Sequence, residues 1–366
     1  MKAKRTFIKM EILQLIQSYR FCIHLLFIPL LIFAVEYGGL FILCVPIFGY
    51  LLIPFTDLLL KRYEFNNIWK SEVKECFALK LIQMWPFIQL ILIIYCIHRV
   101  SNSATILPAE FVGIAAVTGI ITGSIGITFA HELMHKKSYQ ERWLADILMG
   151  LVLYGHFRSE HMLIHHRYVG TPRDAATAKF NENFFKFFLR VIPSCFLSAW
   201  NEEKTRLNKK GLKIYSLKNP FWRYLCLALL FTVIALALGG ALGVLFFVIQ
   251  AFVAIVHLEL ANYIEHYGLR RKPINTDRYE STKTHHSWNS SEKASNWLLI
   301  NLQLHSDHHA KSDKSFTELQ DHPDEQAPQL PFGYPVMILL SLIPPIWFKI
   351  MNPRVAAWEK RFYQIC

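Results

Sequence analysis

Long apolar runs dominate this chain and predict membrane-spanning helices. A bilayer core takes about 20 mainly apolar residues of α-helix. Two runs of about 40 residues are each divided by a pair of glycines, Gly38-Gly39 and Gly239-Gly240, and two shorter runs lie between them. The pattern predicts an all-α integral membrane protein with six transmembrane helices arranged as three hairpins. The expected spans are at about 21–37, 40–60, 79–97, 111–130, 221–238 and 241–260.

A seventh apolar stretch, residues 334–351, is short and is interrupted by Pro344-Pro345. Proline ends or kinks a helix, so this stretch is predicted to be interfacial or re-entrant. Residues 1–20 mix charged and apolar side chains and lack a small-residue cleavage site, so we expect no cleaved signal peptide. We interpret residues 1–366 as a single membrane-embedded domain.

The charge pattern gives these spans an orientation. The chain has 53% hydrophobic residues and a net charge of +12. Lys2, Lys4 and Arg5 precede the first span and a dense basic set lies between 136 and 223, whereas Arg99 is the basic residue of the opposite turns. By the positive-inside rule the N-terminus and the region after span four face the cytoplasm. Basic residues that flank apolar runs favour contact with lipid headgroups, and no nucleic-acid motif accompanies them.

Nine of the 16 histidines gather in four short clusters beyond the ends of the predicted spans. They are His131 and His135, then His161, His165 and His166, then His266, and finally His305, His308 and His309. Under the predicted topology all four clusters lie on the cytoplasmic side. Imidazole is the commonest metal ligand, and ionisable groups gathered at a membrane mark function. The clusters therefore predict a metal site.

The spacing within the clusters predicts which rings converge. Residues i and i+3 or i+4 share one face of a helix, so His131 is expected beside His135, and His161 beside His165. The histidines at 305, 308 and 309 are expected to converge in the same way. One zinc ion takes about four ligands, so nine histidines fit two metal ions. Imidazole suits zinc, copper, iron and nickel, so the spacing alone leaves the metal's identity open.

Two other classes compete with a two-metal enzyme. The first cluster also matches the H-E-x-x-H helix of zinc proteases, but a protease would leave the other clusters without a role. A transporter or a non-catalytic metal-binding protein would place polar residues inside the spans. The predicted spans hold few, with Glu36 and Asp57 near their ends.

The residues around the histidines resemble the integral-membrane alkane hydroxylases, or alkane 1-monooxygenases. Residues 262–269 read NYIEHYGL and residues 302–310 read LQLHSDHHA, and both are similar to signatures of that family. The runs TPRDAA from Thr171 and HSWN from His286 are similar to the same branch. The family lies within a wider class of histidine-rich membrane diiron proteins that includes the fatty acid desaturases. The resemblance covers about residues 20–312.

Three residues depart from the pattern of that family. Met134 stands where the first cluster usually has glycine, Ile164 where the second does, and Leu304 where the last often has arginine. All nine histidines are retained. The bulkier side chains therefore bear on the shape of the substrate pocket and on the preferred chain length.

The resemblance implies two iron ions bound by His131, His135, His161, His165, His166, His266, His305, His308 and His309. Carboxylates orient ligand imidazoles by accepting the second ring N–H, and this role or an additional ligand is expected from Glu132, Asp174, Glu265, His286 and Asp307. Small residues in span four, namely Gly119, Gly123, Ser124 and Gly126, are expected either to leave a channel for the substrate or to allow close helix packing.

The implied reaction is O2-dependent hydroxylation of the terminal methyl group of an alkane to a 1-alkanol. The sequence contains no flavin, nicotinamide or iron–sulfur motif, so electrons are expected from rubredoxin, which rubredoxin reductase reduces. The expected location is a bacterial inner membrane, with an apolar hydrocarbon substrate arriving from the lipid and the active site on the cytoplasmic side. Two alternatives stay open: an aromatic-methyl (xylene- or cymene-type) hydroxylase, and a fatty-acyl desaturase or hydroxylase.

Overall fold

The computed structural model describes residues 19–60, 62, 72–276 and 278–362. Lys2, Lys4 and Arg5, which contribute to the predicted orientation, lie outside the described residues. Within those ranges the regular elements are helices, and the β-structure consists of isolated β-bridges. The long helices are Glu72–Ser101, Pro108–Ile121, Phe184–Asn208, Pro220–His266 and Pro344–Phe362.

The first two apolar helical segments, Arg20–Tyr37 and Gly39–Leu60, form the predicted hairpin. The chain reverses at Gly38, whose φ of +58° is in the left-handed region that favours glycine. The backbone N–H of Gly39 donates to Oε1 of Glu110 at 2.8 Å, which ties this turn to the start of the helix Pro108–Ile121. The glycine pair thus marks the turn, as the sequence predicts.

The helix Pro220–His266 has 47 residues and contains a sharp break. A straight helix of that length would measure about 70 Å, more than twice a bilayer core. Gly240 has a φ of +58°, and a Cβ atom on Gly243 would lie 2.2 Å from the carbonyl oxygen of Ala235. The two arms therefore fold back on each other at Gly239-Gly240, which is where the apolar pattern predicts a turn.

Five helical segments in the described part of the chain are long and apolar enough to cross a membrane, or six with one bent pair. This pair, Tyr334–Ser341 and Pro344–Phe362, bends by 120°. Such a bend is a broken span or a re-entrant loop, and it occurs at the proline pair noted in the sequence. The predicted count of six spans and their orientation remain predictions.

The most buried apolar segment lies at the centre of the fold. It runs from Pro108 to Met134 with a π-helical turn at Thr122–Ile127, and 72% of its apolar window is buried. A Cβ atom on Gly119 would lie 2.6 Å from the Gln250 carbonyl oxygen, and one on Gly126 would lie 2.1 Å from the Gln89 side chain. These two glycines therefore serve close helix packing.

Short helices surround the end of this central segment and complete the fold. They are Tyr139–Leu151, Phe157–Glu160, His166–Tyr168, Lys293–Leu298 and His305–Ala310, together with a π-helical turn at His161–His165. One membrane helix holds this region in place directly. Asp57 accepts hydrogen bonds from the backbone N–H groups of Ala294 (2.6 Å) and Ser295 (3.1 Å), which begin the helix Lys293–Leu298.

Candidate metal centre

Five of the nine histidines form one compact group. His131, His135, His161, His166 and His308 each place a ring nitrogen within 4.8 Å of the others. The Nε2 atoms of His135, His161 and His166 form a triangle with sides of 2.9 to 3.1 Å. The Nε2 atoms of His131 and His308 are buried without a hydrogen-bond partner.

The remaining four histidines, His165, His266, His305 and His309, form a second, fully buried group. Nε2 of His309 lies 2.9 Å from Nε2 of His305 and 3.2 Å from Nε2 of His165. The ring centroids of His166 and His309 are 4.9 Å apart across the boundary between the groups. The structure therefore brings all nine histidines together as two adjoining groups of five and four.

The division of the histidines differs from the pairing that helical spacing predicts. His161 and His165 were expected to converge, but His161 belongs to the five-histidine group and His165 to the four-histidine group. The reason is the π-helical turn His161–His165. A π turn pairs residues five apart, so His161 converges with His166 instead. The rings of His305, His308 and His309 lie within 5.6 Å of one another, centroid to centroid. His308 nevertheless belongs to the five-histidine group, whereas the other two belong to the four-histidine group.

The nitrogen triangle tests whether a metal ion fits. A neutral imidazole nitrogen carries either a proton or a lone pair. A hydrogen bond needs one nitrogen that carries a proton and one that carries a lone pair. Among three mutually adjacent nitrogen atoms, at least one pair must therefore place two protons or two lone pairs against each other. Burial holds the pKa of His161 and His166 well below its usual range, so these rings are neutral. A cation bound by all the lone pairs removes the conflict, and the donor set therefore fits a metal.

Two polar side chains orient rings of the four-histidine group. Nδ1 of His165 lies 3.0 Å from Oδ2 of Asp174, and Ser287 Oγ lies 3.4 Å from Nδ1 of His266. Burial opposes protonation of His165, but the adjacent Asp174 carboxylate outweighs it and raises the pKa to about 9. Asp174 thus occupies the position that the sequence proposed for it. Ser287 was missed, because a serine 21 residues from its partner gives no local signal.

Glu265 lies at the four-histidine group itself. Its Oε2 is 3.3 Å from Nε2 of His305 and 4.0 Å from Nε2 of His266. The carboxylate therefore borders the group on the side of these two rings, while the four histidines form the set of mutually close donor atoms. Its Oε1 is buried without a hydrogen-bond partner.

Three other residues expected to support the ligands have different partners. Glu132 pairs with Lys136 and accepts from Ser315 and the Phe316 backbone. Asp307 binds Lys314, His322 and the backbone N–H of Gln320, and so fixes the loop that follows the last cluster. His286 contacts Glu280. None of these partners, in the described part of the chain, is one of the nine histidine rings.

A third group of possible ligands, Glu280, His285 and His286, lies outside this site. Nδ1 of His286 accepts a hydrogen bond from the Lys283 backbone N–H at 2.9 Å. The neutral ring must then carry its proton on Nε2, which faces Oε1 of Glu280 at 3.3 Å. The contact falls short of hydrogen-bond geometry, and in this tautomer Nε2 has no lone pair for a metal.

An apolar cavity ends at the histidines. It measures about 80 Å³ and is lined by His131, His161 and His305 at the metal centre. Gly123 and Ser124 of the central segment also line it, as do Leu298 and Leu302. About 10–15 Å³ holds one water-sized group, so the cavity holds roughly six such groups. Its lining is mostly apolar and includes members of both histidine groups.

A basic groove of about 600 Å³ opens beside His135 on another side of the site. Its cationic lining residues are Lys136, Lys137, Arg142, Arg158, Arg206, Lys218 and Arg223. Asp146 pairs with Arg158 and Arg223, and Glu203 pairs with Arg206. Lys137 and Arg142 make no ion pair within the described part of the chain, so the groove keeps a positive charge.

One of the buried carboxyl groups that the sequence reasoning missed lies next to a candidate ligand. Glu160 precedes His161, is 1% exposed, and has no hydrogen-bond partner for either carboxylate oxygen among the described residues. Burial raises the pKa of the Glu160 carboxyl above its usual range. Its position next to a candidate ligand was visible in the sequence, but its burial was not.

These features define a class: a histidine-rich helical membrane protein with two adjoining candidate metal centres at the end of an apolar cavity. A sequence model of the fatty acid desaturase family matches residues 108–341, which include the nine histidines. The matched residues also include most of those that line the cavity.

The relatives of the chain narrow the class. An alkane 1-monooxygenase of Pseudomonas aeruginosa is 43% identical over 66% of this chain and 62% of its own length. A second, from Alcanivorax borkumensis, is 38% identical over 85% of this chain and 81% of its own length. The hydroxylase component of a Pseudomonas putida xylene/toluene monooxygenase is 30% identical over 70% and 67%. The chain therefore belongs to the alkane 1-monooxygenase branch of the fatty acid desaturase family, which confirms the resemblance. The match spans less than two thirds of the Pseudomonas aeruginosa relative.

Proposed function

We propose that this protein is a membrane diiron monooxygenase that hydroxylates the terminal methyl group of alkanes. The observation that carries the proposal is the convergence of nine imidazoles, in groups of five and four, at the end of an apolar cavity. The relatives named alkane 1-monooxygenase support the same activity.

The nine histidines would hold two iron ions, with Glu265 as an oxygen donor to the four-histidine centre. When bound, the iron pair supplies the reductive activation of dioxygen, which no side chain can provide. Asp174 accepts the Nδ1–H of His165, and a bound metal ion would displace the proton on Nε2, so that Nε2 would present its lone pair to the centre. Ser287 is placed to do the same for His266.

The cavity positions the substrate and excludes water. In the overall reaction one methyl C–H bond is replaced by C–O–H, one atom of O2 enters the product, and the other leaves as water with two electrons and two protons. The lining residues Phe27, Ile120 and Leu298 are apolar. These side chains give the cavity an apolar wall on which an alkane binds, with its terminal carbon next to His131 and His305.

Electrons must come from outside the chain. We infer that an acidic rubredoxin, reduced by rubredoxin reductase, docks in the basic groove. Opposite charges on two surfaces accelerate and orient association, and the groove's wall includes His135, a member of the five-histidine group. Docking there brings the partner's redox centre to the edge of the metal site.

The proposal also includes the predicted location and organisation. The chain is a single membrane-embedded domain with six spans, it lies in a bacterial inner membrane, and its metal centre faces the cytoplasm. The dense basic residues around the groove support this orientation by the positive-inside rule. Single cysteines placed at residues 137 and 103 test this orientation. A membrane-impermeant thiol reagent should label them from opposite sides of the membrane.

An aromatic-methyl hydroxylase is the second candidate, because the xylene/toluene relative shares 30% identity over 70% of the chain. A fatty-acyl desaturase or hydroxylase is the third candidate, since the matching family model carries the desaturase description.

Product analysis tests the proposal. Membranes containing the protein, rubredoxin, its reductase and NADH are given octane, dodecane, hexadecane, p-xylene or an acyl lipid under 18O2. We expect a 1-alkanol that carries one 18O atom and that disappears in a His308→Ala variant. A benzylic alcohol alone would assign the second candidate. An unsaturated or hydroxylated acyl chain, with the hydrocarbons untouched, would reject the proposal.

A further inference from the structure

One wall of the apolar cavity carries a hydrogen-bonded polar pair, Tyr50 and His257. Tyr50 lies in a π-helical turn, Phe48–Leu52, of the second apolar helix. The π-helical turns at Thr122–Ile127 and His161–His165 contribute Ser124 and His161 to the same cavity. Such turns recur at functional sites, and here three of them shape one cavity.

The hydrogen bonds of His257 fix the direction of the pair. Nδ1 lies 2.8 Å from the Val253 carbonyl oxygen, which can only accept, so Nδ1 carries the ring proton. In the neutral ring Nε2 is then an acceptor, and the Tyr50 hydroxyl donates to it. The phenolic proton is thereby used, and the oxygen of Tyr50 has lone pairs left over. The pair therefore offers the cavity an acceptor and no donor.

The pair lies deeper along the helices than the histidines. His257 precedes His266 by nine residues on the same helix, which corresponds to about 13 Å along its axis. Because His131, His161 and His305 line the cavity near the metal centre, Tyr50 and His257 mark a second position along it. A chain with its methyl group at the metal centre reaches this pair with its other end.

We propose that the cavity binds primary alcohols of linear hydrocarbons, with the alcohol O–H donating to the Tyr50 oxygen, and that the distant methyl group is hydroxylated. The product is an α,ω-diol. The balance is that of the proposed alkane reaction, on which this inference rests: O2 gives one oxygen atom to the methyl carbon and one to water, and the electron carrier supplies two electrons. Tyr50 is a residue that selects substrates.

A pair of matched ligands tests the direction of the hydrogen bond. Full-length protein in nanodiscs, under argon and without an electron donor, is titrated by calorimetry with an alkan-1-ol and with its methyl ether, and empty nanodiscs serve as the blank. The ether keeps the oxygen and lacks the donor. One net hydrogen bond corresponds to about a two- to tenfold preference for the alcohol. Equal affinities at every chain length would overturn the proposal.

Two variants separate the pair from general effects on the cavity. Tyr50→Phe removes the acceptor and is expected to abolish the preference, whereas the matched Tyr215→Phe at an exposed tyrosine retains it. His257→Leu frees the Tyr50 hydroxyl to donate, and we expect the preference to shift toward the ether. Retention of the alcohol preference in Tyr50→Phe would overturn the proposal, and the His257 variant provides the test if Tyr50→Phe does not fold.

Product analysis then links binding to reaction. Carbon-13-labelled alkane and unlabelled 1-alkanol of equal length are supplied together, and the ratio of unlabelled α,ω-diol to labelled 1-alkanol is measured. We expect this ratio to fall severalfold in Tyr50→Phe. If neither substrate is oxidised, the proposed function fails. If the alkane is hydroxylated but the alcohol is never converted to a diol, this inference alone fails.

Discussion

Nδ1 of His165 lies 3.0 Å from Oδ2 of Asp174, and both side chains are buried. The same carboxylate accepts from Thr177 Oγ1 and from the Ala176 backbone N–H. Asp174 therefore both stabilises its own loop and orients His165, a candidate ligand. We therefore expect local chain structure and metal affinity to be coupled at this point.

Replacing Asp174 with asparagine is expected to weaken metal binding about tenfold, because partners of ligand histidines contribute 10- to 100-fold to affinity or activity. Metal content is measured by plasma mass spectrometry after dialysis against a graded chelator. The exposed Asp324→Asn variant is the control. Equal metal retention in both variants would contradict the role of Asp174.

The division of the histidines into five and four predicts which centre each variant loses. His308→Ala is expected to weaken the five-histidine centre and His305→Ala the four-histidine centre, so each variant retains roughly one iron ion per chain. Mössbauer spectra of 57Fe-loaded protein distinguish the two, since each variant should lose a different component. The exposed His98→Ala variant serves as control. Identical spectral losses in both variants would be evidence against two separate groups.

The unpaired cations of the basic groove, Lys137 and Arg142, are predicted to contribute to docking of the electron donor. Reversing both charges to glutamate should raise the KM for rubredoxin about tenfold, because like charges now oppose the acidic partner. The effect should shrink as ionic strength rises. Steady-state kinetics at several salt concentrations measure it. An unchanged KM, or the same change in the exposed Arg354→Glu variant, would place the docking surface elsewhere.

Asp57 is predicted to stabilise the fold through its contacts with Ala294 and Ser295. Asp57→Ala leaves buried backbone N–H groups unpaired, which costs about 1–3 kcal/mol. Thermal unfolding in detergent should show a lower midpoint than wild type. Asp57→Asn keeps one acceptor oxygen, so its unfolding midpoint should lie between those of the wild type and of Asp57→Ala. If the alanine variant unfolds at the wild-type temperature, this contact does not stabilise the fold.

His156 is predicted to make the protein sensitive to acid. It packs against Tyr154 and Phe196, and burial lowers its pKa from 6.5 to about 4. The folded state therefore binds this proton less readily than the unfolded state. Its stabilising contribution is complete above pH 6.5 and is lost as the pH falls toward 4. At about 1.4 kcal/mol per pKa unit, the loss approaches about 3 kcal/mol.

Unfolding midpoints measured from pH 7 to 4.5 check this sign. His156→Leu should show a shallower decline than wild type, since leucine suits the aromatic surroundings and does not titrate. In the exposed His98→Leu variant the unfolding midpoint should fall with pH as steeply as in the wild type. A wild-type slope in His156→Leu would assign the acid sensitivity to other groups.

Much of this protein follows from patterns of adjacent residues. Apolar length and the glycine pairs at 38–39 and 239–240 predict the helical arms and their turns, because a bilayer requires helices of fixed length and only glycine easily reverses them. The nine histidines and Asp174 were named from their spacing and from family signatures. The family itself was recognisable from four short runs of residues.

The tertiary structure decided what these residues do together. A π-helical turn sends His161 and His165 to different groups, and helix packing turns Glu132 and Asp307 toward lysines instead of the histidine rings. The Tyr50–His257 pair joins residues 207 positions apart. Local periodicity specifies the face of a helix on which a side chain lies. Its partner depends on how distant helices pack, and that packing is set by the whole chain.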